Sequence, residues 1–207
     1  MPIGRPGRRG TPASFIVIGL GNPGPEFAGT RHNVGFDVVS ELCRRHGAKL
    51  TKTKQRSLVA EVRDGGSLVV LAQPQTYMND SGTAAQLLVR RFGLDSIDRL
   101  VIVHDELDLP LGRMKLKVGG GLAGHNGLRS LRDHLQTSDF ARVRIGIGKP
   151  RSAEHGADHV LSRVPKAERA LVGEMVQLGA DAVDAIIDDG LASAMARYNG
   201  VDLSGDG

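Results

Sequence analysis

The side chains that could do chemistry in this sequence concentrate in one short stretch near its start. Residues 19–33 read GLGNPGPEFAGTRHN and hold four glycines, two prolines, two asparagines and a histidine. A segment with so few packing side chains and so many residues of special backbone conformation is typical of a functional loop. His32 is the side chain there that takes up and releases a proton near neutral pH. We therefore predict that His32 is a general base.

Other polar side chains follow the predicted strands further along the chain. Ligands in open α/β sheets bind outside the carboxyl ends of the strands, so we expect these side chains to converge on one edge of the sheet. The set comprises Asn22, His32, Asn33, Gln75, Tyr77, Met78, Asn79, His104, Asp105, Glu106, Asp108, His125 and Asn126. The GxSxG motif of a serine nucleophile is absent, which favours direct attack by water. In that scheme Asp105 orients His32, and asparagine amides stabilise the developing oxyanion.

Each of these candidates also has a simpler structural role. His32 can stand at the start of a helix and contact only backbone, and Asp105 can cap a turn over residues 105–110. Asn79 and Asn126 can be helix N-caps, a position where asparagine is favoured. Both interpretations stay open on these patterns alone.

Two further histidines allow either a metal site or a buried structural role. His104 and His125, together with Asp105 and Asp108, offer metal-ligating atoms. No spacing template for a metal site fits them, so we predict a site without metal. Burial of both histidines in the core is the other interpretation.

The sequence also contains a match to the glycine pattern of dinucleotide-binding folds. Residues 19–24 fit GxGxxG after a predicted strand. In that fold the helix begins within the glycine motif, whereas Pro23, Pro25 and Gly29 delay the helix here. The acidic residue that should end the next strand, Asp64, falls in a predicted hairpin turn. We therefore reject a dinucleotide cofactor.

Hydrophobic patterns predict the elements that must position these groups. The apolar run Phe15–Leu20 is typical of a strand buried on both faces, and Val34–His46 of an amphipathic helix. Further strands are predicted at Ser57–Arg63, Ser67–Ala72, Leu100–Val103, Arg113–Val118 and Arg142–Gly148, and further helices before Gly93, at Asn126–Leu135, at 165–189 and shortly after Gly190. This alternation predicts an α/β fold, a single domain with a mixed, mostly parallel twisted sheet, one antiparallel hairpin, and helices on both faces.

Length and composition fit one domain of ordinary size. The chain has 207 residues, 40% of them hydrophobic. We expect a disordered basic arm at residues 1–14, a domain over 15–200 and a flexible tail at 201–207. No apolar run approaches the roughly 20 residues that span a bilayer, and the start lacks the apolar segment of a signal peptide. We therefore expect a cytoplasmic protein with no membrane partner.

Charge is spread unevenly along the chain. Residues 165–207 hold three basic and eight acidic residues, whereas residues 15–164 hold 21 basic and 15 acidic ones. A basic body suits an anionic substrate, although a surface of ordinary mixed charge explains the same numbers. Lys115, Lys117 and Arg144 lie on predicted strands near the candidate site. They either bind phosphate or form a solvated face.

Five motifs carry a resemblance to a known family. They are GLGNPGPEFAGTRHNVGF, QPQTYMNDSG, HDELDLPLGRMKLKVGGG, GHNGLRSL and RVRIGIGKP, in this order along the chain. Over residues 15–200 the chain resembles the bacterial-type peptidyl-tRNA hydrolases. That family cleaves the ester between a peptide and the 3′-terminal ribose of tRNA, without metal or cofactor. The resemblance implies that peptidyl-tRNA, through its acceptor stem and CCA end, is the partner of a monomeric enzyme.

The resemblance also implies roles for individual residues. His32 becomes the catalytic base and Asp105 its partner. By this resemblance the substrate-binding residues are Asn22, Phe27, Met78, Asn79 and Asn126. The residues that bind tRNA phosphates are Lys115, Lys117 and Arg144. Residues from about 148 to 164 become part of a mobile cover over the peptide groove.

Two positions depart from the family's usual pattern. Phe27 stands where tyrosine is usual, so a hydroxyl is lost, and Leu122 replaces a commonly small or polar residue.

Two other classes of function also stay open: a pure RNA-binding module, and a metal-dependent hydrolase of another ester or amide. The first predicts that His32 is dispensable in every assay, and the second predicts inhibition by a chelator.

Overall fold

A seven-stranded mixed sheet carries the candidate site. The computed structural model describes residues 12–64, 66–149 and 156–205. The strands are β1 (Phe15–Gly19), β2 (Thr51–Thr53), β3 (Ser57–Asp64), β4 (Ser67–Pro74), β5 (Leu100–Glu106), β6 (Met114–Val118) and β7 (Ala141–Gly146). They lie in the order β2-β3-β4-β1-β5-β7-β6. The four adjacent strands β4, β1, β5 and β7 run parallel, and the pairs β2–β3, β3–β4 and β6–β7 are antiparallel.

Helices cover both faces of this sheet. They are α1 (Val34–Arg45), α2 (Ser81–Phe92), α3 (Asn126–Leu135), α4 (Gly156–Leu161), α5 (Arg169–Asp189) and α6 (Leu191–Tyr198). One hydrophobic core packs α1, α5 and α6 on one face, and a second packs α2 and α3 on the other. Val17 belongs to the first core, while Ile16 and Ile18 belong to the second. Because successive side chains of a strand point to opposite faces, β1 must be apolar throughout.

Two glycines set how closely α1 approaches the sheet. A Cβ on Gly35 would overlap the carbonyl of Val103 and lie 2.6 Å from the backbone nitrogen of Leu20. A Cβ on Gly19 would overlap the carbonyl of Gly35. The first turn of α1 therefore lies directly on the end of β1. This contact fixes the position of the residues just before the helix.

The predicted fold class is confirmed: the chain forms an α/β domain with a mixed sheet and helices on both faces. Three details differ from the prediction. β5 continues through Glu106 instead of ending at Val103, and the pairs β6–β7 and β2–β3 add two antiparallel pairings to the expected hairpin. β2 and α4 were not predicted, because three polar residues on an edge and a six-residue helix have no measurable periodicity.

Bonds reach into the described parts of the predicted arm and tail. Residues 1–11, 206 and 207 lie outside the described residues. Ala13 is buried and donates its backbone N–H to Phe92, so the domain begins before the predicted boundary at residue 15. Asp202 forms an ion pair with Arg113, and the backbone N–H of Leu203 donates to Gly112. These bonds attach the first part of the predicted flexible tail to the domain.

The long helix α5 is continuous and carries acidic side chains along its length. None of the helices in the described ranges combines the length and the apolar character needed to span a bilayer.

Candidate active site

A single 3₁₀ turn, Arg31–Asn33, places His32 at the end of β1. Asn33 fixes this turn, because its Oδ1 accepts from the backbone N–H of Asn22 at 2.9 Å and its Nδ2 donates to the carbonyl of Asn22 at 3.0 Å. The turn then continues directly into α1. His32 is therefore held between the β1 loop and the start of a helix, and it is 8% exposed.

His32 meets Asp105 across the sheet edge, as the strand-end argument predicts. Asp105 is the penultimate residue of β5, and its Oδ1 lies 2.8 Å from Nδ1 of His32. A carboxylate only accepts, so Nδ1 of His32 carries the proton in this pair. Nε2 is then the basic nitrogen of the ring. The alternative that His32 contacts only backbone is wrong, and Asp105 does more than cap a turn.

A second imidazole shares the same carboxylate oxygen. Nε2 of His125 lies 3.1 Å from Oδ1 of Asp105, while its Nδ1 accepts from the backbone N–H groups of Gly127 at 3.1 Å and Leu128 at 3.4 Å. Because Nδ1 accepts at the start of α3, the proton of a neutral His125 resides on Nε2 and points at Asp105. His125, and not Asn126, is the N-cap of α3.

The sequence placed His125 at the sheet edge and allowed it to be a metal ligand or a buried structural histidine, but it did not predict the bond to Asp105. Its ring lies between two others, with centroids 5.1 Å from His32 and 5.0 Å from His104. The sequence signals were its place in the strand-end set and its position just before a predicted helix. Histidine is an uncommon N-cap, so that position did not predict its bond to Asp105.

The environment of Asp105 keeps it ionised. Burial alone would raise the pKa of its carboxyl, but the two imidazoles of His125 and His32 hold that pKa well below its usual range. The charge and hydrogen bonds of the two rings thus lower the pKa of Asp105 more than desolvation raises it. Asp105 therefore acts as a fixed acceptor rather than as a proton donor.

His104 is a buried structural histidine, one of the two interpretations that the sequence allowed. It is fully buried, and its Nδ1 donates to the backbone carbonyl of Asp105 at 2.6 Å. Its Nε2 has no hydrogen-bond partner within the described ranges. Burial, and next the neighbouring His125, hold the pKa of His104 well below its ordinary value of 6.5. The ring is therefore neutral, and it packs against His125 beside the His32–Asp105 pair.

A cavity of about 290 Å³ opens beside this cluster. His32, Asp105 and Asn126 all line it, so three of the predicted site residues face one space. Its other walls include the apolar side chains of Leu107 and Val160. The arrangement presents a base, an ionised carboxylate and an exposed amide to a molecule in the cavity.

The other predicted substrate-binding residues, Asn22, Phe27, Met78 and Asn79, do not line this cavity. Oδ1 of Asn22 accepts from the backbone N–H of Met78 at 2.7 Å, which joins the β1 loop to the loop after β4. Met78 is buried against Gly127 at the start of α3. Phe27 packs edge-on against the exposed Tyr77, with ring centroids 6.3 Å apart. Asn79 is exposed and lies in a 3₁₀ turn before α2, where Asp80 occupies the N-cap position instead.

The predicted phosphate-binding residues share one face of the β6–β7 edge. Lys115 pairs with Arg144 and Lys117 with Arg142 in the antiparallel register. Lys115 is exposed and Lys117 half-buried. Arg144 is bound by Glu106, whose Oε2 accepts from its Nε at 2.9 Å, so its charge is already compensated.

Arg142 adds a feature that the sequence did not reveal. It is 1% exposed and donates to the carbonyls of Gly120 and Gly121 at 3.0 and 2.9 Å. The guanidinium therefore holds the glycine-rich loop that leads to His125.

His32, Asp105 and His125 also form a group of possible metal ligands, with donor atoms within 4.8 Å of one another. A metal would need lone pairs on both ring nitrogens that face Asp105. Nδ1 of His32 and Nε2 of His125 instead lie at hydrogen-bond distance from Oδ1 of Asp105. The lone pair on Nδ1 of His125 already accepts from a backbone N–H at the start of α3. The donor set is better suited to hydrogen bonding than to ligation.

Comparisons with known proteins agree with this geometry. The family model described as peptidyl-tRNA hydrolase matches residues 16–205. A peptidyl-tRNA hydrolase of Cutibacterium acnes is 49% identical over 197 residues, covering 90% of this chain and 98% of the relative. One from Chloroflexus aggregans is 42% identical over 185 residues, covering 89% and 98%. The crystal structure of the peptidyl-tRNA hydrolase from Acinetobacter baumannii superposes with a TM-score of 0.84 at 34% identity, covering 94% of this chain and 99% of that one. The chain therefore belongs to the peptidyl-tRNA hydrolase family.

Proposed function

We propose that this peptidyl-tRNA hydrolase cleaves the ester between a peptide and the 3′-terminal ribose of tRNA by direct attack of water, with His32 as general base. One observation carries the proposal: Oδ1 of Asp105 accepts from both imidazoles, which leaves Nε2 of His32 as the basic nitrogen beside the cavity. The biological role is to recycle peptidyl-tRNA that is released too early in translation.

The reaction proceeds in two steps that balance in atoms and protons. Nε2 of His32 takes a proton from water, and the water oxygen bonds to the ester carbonyl carbon. The bond between that carbon and the ribose oxygen then breaks, and the proton passes from His32 to the ribose oxygen. The products are a peptide with a free carboxyl group and a tRNA with a free 3′-terminal hydroxyl.

Asp105 and the asparagines support these steps. The ionised carboxylate of Asp105 orients His32 and stabilises the imidazolium that forms, because the two groups are in direct contact. Asn126 donates to the oxyanion, a role supported by its exposed amide in the lining of the cavity. Asn22 and Asn79, with Phe27 and Met78, bind the end of the tRNA next to the reacting ester.

The tRNA lies along the β6–β7 edge in this proposal, with Lys115 and Lys117 on its acceptor-stem phosphates. Lys115 is exposed and Lys117 half-exposed on one face of β6, which suits contact with a phosphate backbone. Arg144 also contacts a phosphate, and its hydrogen bond to Glu106 weakens when it does so. No cofactor is needed for this chemistry, and the protein acts as a monomer in the cytoplasm.

The lysines give a prediction about salt dependence. Replacing Lys115 and Lys117 with alanine should raise KM with little change in kcat, because the phosphates are distant from the reacting ester. The slope of log KM against log salt concentration should fall by about one for each lysine that no longer binds a phosphate. Lys52→Ala, an exposed lysine of β2 on the opposite edge of the sheet, is the matched control. Equal salt slopes in all variants would remove the lysines from the tRNA interface.

The proposed reaction is tested by hydrolysis in ¹⁸O-labelled water, with a chelator present. We expect one labelled oxygen in the carboxyl group of the released peptide and an unlabelled tRNA that can be aminoacylated again. Tight binding of peptidyl-tRNA without release of peptide would instead favour a pure RNA-binding module. Loss of hydrolysis with the chelator would favour the metal-dependent alternative.

A further inference from the structure

The residue that precedes His32 has a buried side chain that the proposed reaction does not use. The side chain of Arg31 is 9% exposed and points to a later part of the chain. Its Nη1 donates to Oγ of Ser162 and its Nη2 to Oε2 of Glu168, each at 2.7 Å. Charge-assisted bonds of this length from a buried arginine are among the stronger polar contacts in a protein.

Backbone bonds join the same two parts of the chain. The backbone N–H of Arg31 donates to the carbonyl of Ser162 at 3.2 Å, and that of Val164 donates to the carbonyl of Gly29 at 2.9 Å. Thr30 and Arg163 form an isolated antiparallel bridge between these bonds. Residues 29–31 and 162–164 therefore form a short two-stranded ribbon beside His32.

Ser162 connects this ribbon to helix α4. Its hydroxyl donates to the carbonyl of His159 at 2.7 Å while it accepts from Arg31, so both of its bonding roles are filled. α4 in turn provides Gly156, Ala157 and Val160 to the wall of the cavity that His32 and Asn126 line. An unbroken set of bonds thus runs from the His32 turn through Arg31 to the opposite wall of the cavity.

We propose that Arg31 is a positioning residue that fixes α4 against the His32 turn, so that α4 holds the peptide end of the substrate in the cavity. The wall that α4 offers is small and apolar, which suits a peptide chain better than a phosphate. The basic β6–β7 edge attracts the nucleic acid elsewhere on the surface. This inference rests on the proposed function: the family resemblance already implies a peptide groove beside residues 148–164, and we add the role of Arg31 in holding that wall.

The geometry explains why an arginine is needed at this position. Two partners on different segments, Ser162 and Glu168, are bonded at once by two nitrogens of one planar guanidinium. A lysine has a single nitrogen on a flexible stem and cannot hold both partners in fixed directions. Arg31→Lys should therefore keep the charge and lose the positioning.

The test compares two substrates that share one tRNA: one carries an N-acetylated single amino acid and the other a five-residue peptide. In Glu168→Gln and Arg31→Lys we expect KM for the longer substrate to rise about three- to tenfold, a loss of ground-state binding. KM for the short substrate should change less, and kcat and its pH profile should match the wild type. Arg197→Gln, which breaks an exposed ion pair with Asp189, is the control.

Several results would overturn the inference. Equal effects on the two substrates, a loss of kcat with unchanged KM, or wild-type kinetics in folded variants would each remove Arg31 from peptide positioning. The side chain of Glu168 is 37% exposed, so Glu168→Gln removes one partly exposed charge and leaves Arg31 as the buried charge of the pair. A melting curve verifies that this variant is folded. Failure of the proposed function itself is distinguishable, because the wild type would then hydrolyse neither substrate.

Discussion

At the scale of single residues, one buried carboxylate organises the site. Oδ1 of Asp105 accepts from His32 and His125, and helix α3 determines which nitrogen of His125 carries its proton. The backbone N–H groups of a helix start thus set the tautomer of one ring. Asp105 then receives a second donor and stays ionised, ready to stabilise a charged His32.

Replacing Asp105 with asparagine tests this arrangement. The neutral amide cannot stabilise an imidazolium on His32, and its NH2 group can face a ring nitrogen that should donate. We expect kcat to fall by about tenfold or more, but by less than the loss in His32→Ala. Single-turnover hydrolysis measures this directly. A wild-type rate in a folded Asp105→Asn variant would remove Asp105 from the mechanism.

The sequence predicted part of this cluster and not the rest. His32 and Asp105 follow from polar residues placed at neighbouring strand ends, and the structure joins them. The bond from His125 to Asp105 depends on where α3 begins to within one residue, which patterns do not resolve. The pairing of Arg144 with Glu106 depends on side-chain directions at the ends of two strands.

At the scale of elements, the contact of α1 with β1 holds His32 in place. Gly19 and Gly35 bring the helix and strand backbones together, and the 3₁₀ turn with His32 lies just before that contact. A shift of α1 would therefore move His32 relative to Asp105 on β5. The distance between His32 and Asp105 therefore depends on how α1 packs against β1.

A pair of glycine substitutions tests the contact. Gly35→Ala adds a Cβ against backbone atoms of Leu20 and Val103 that cannot move aside, so we expect at least about 2 kcal/mol of destabilisation. Gly173→Ala is the matched control, because it lies in α5 with no atom near its added Cβ. That change should be neutral or stabilise by up to about 1 kcal/mol. Urea unfolding measures both, and equal effects would contradict the close packing of α1.

Long periodic elements were the ones that the sequence predicted well. The strand in β1 and the helices α1 and α3 appear within one or two residues of their predicted ends. α4 was missed, because six residues give too little pattern to distinguish a helix from a loop. Its place in the cavity wall comes from long-range bonds to residues 29–31, which no local pattern contains.

At the scale of the whole molecule, His104 couples stability to pH. The folded protein keeps its buried ring neutral because burial lowers its pKa, whereas the unfolded chain binds a proton near pH 6.5. The unfolded state therefore binds more protons below that pH, and stability must fall as the pH falls. Each such proton contributes a slope of about 1.4 kcal/mol per pH unit.

The variant His104→Asn isolates this contribution. Asparagine keeps a donor for the carbonyl of Asp105 but does not titrate in this range. We expect the free energy of unfolding of the wild type to fall more steeply between pH 6.5 and 5 than that of the variant. Urea titrations across this range measure the difference. Parallel pH curves would show that His104 binds its proton equally well in both states.

The most direct test of the account is single-turnover hydrolysis of a peptidyl-tRNA by the wild type and by His32→Ala, with a chelator present. His46→Ala, at an exposed histidine on the end of α1, is the matched control. If His32 is the base, its removal should slow hydrolysis by about 10² to 10⁴, while the control reacts like the wild type. A folded His32→Ala variant that releases peptide at the wild-type rate would contradict the account.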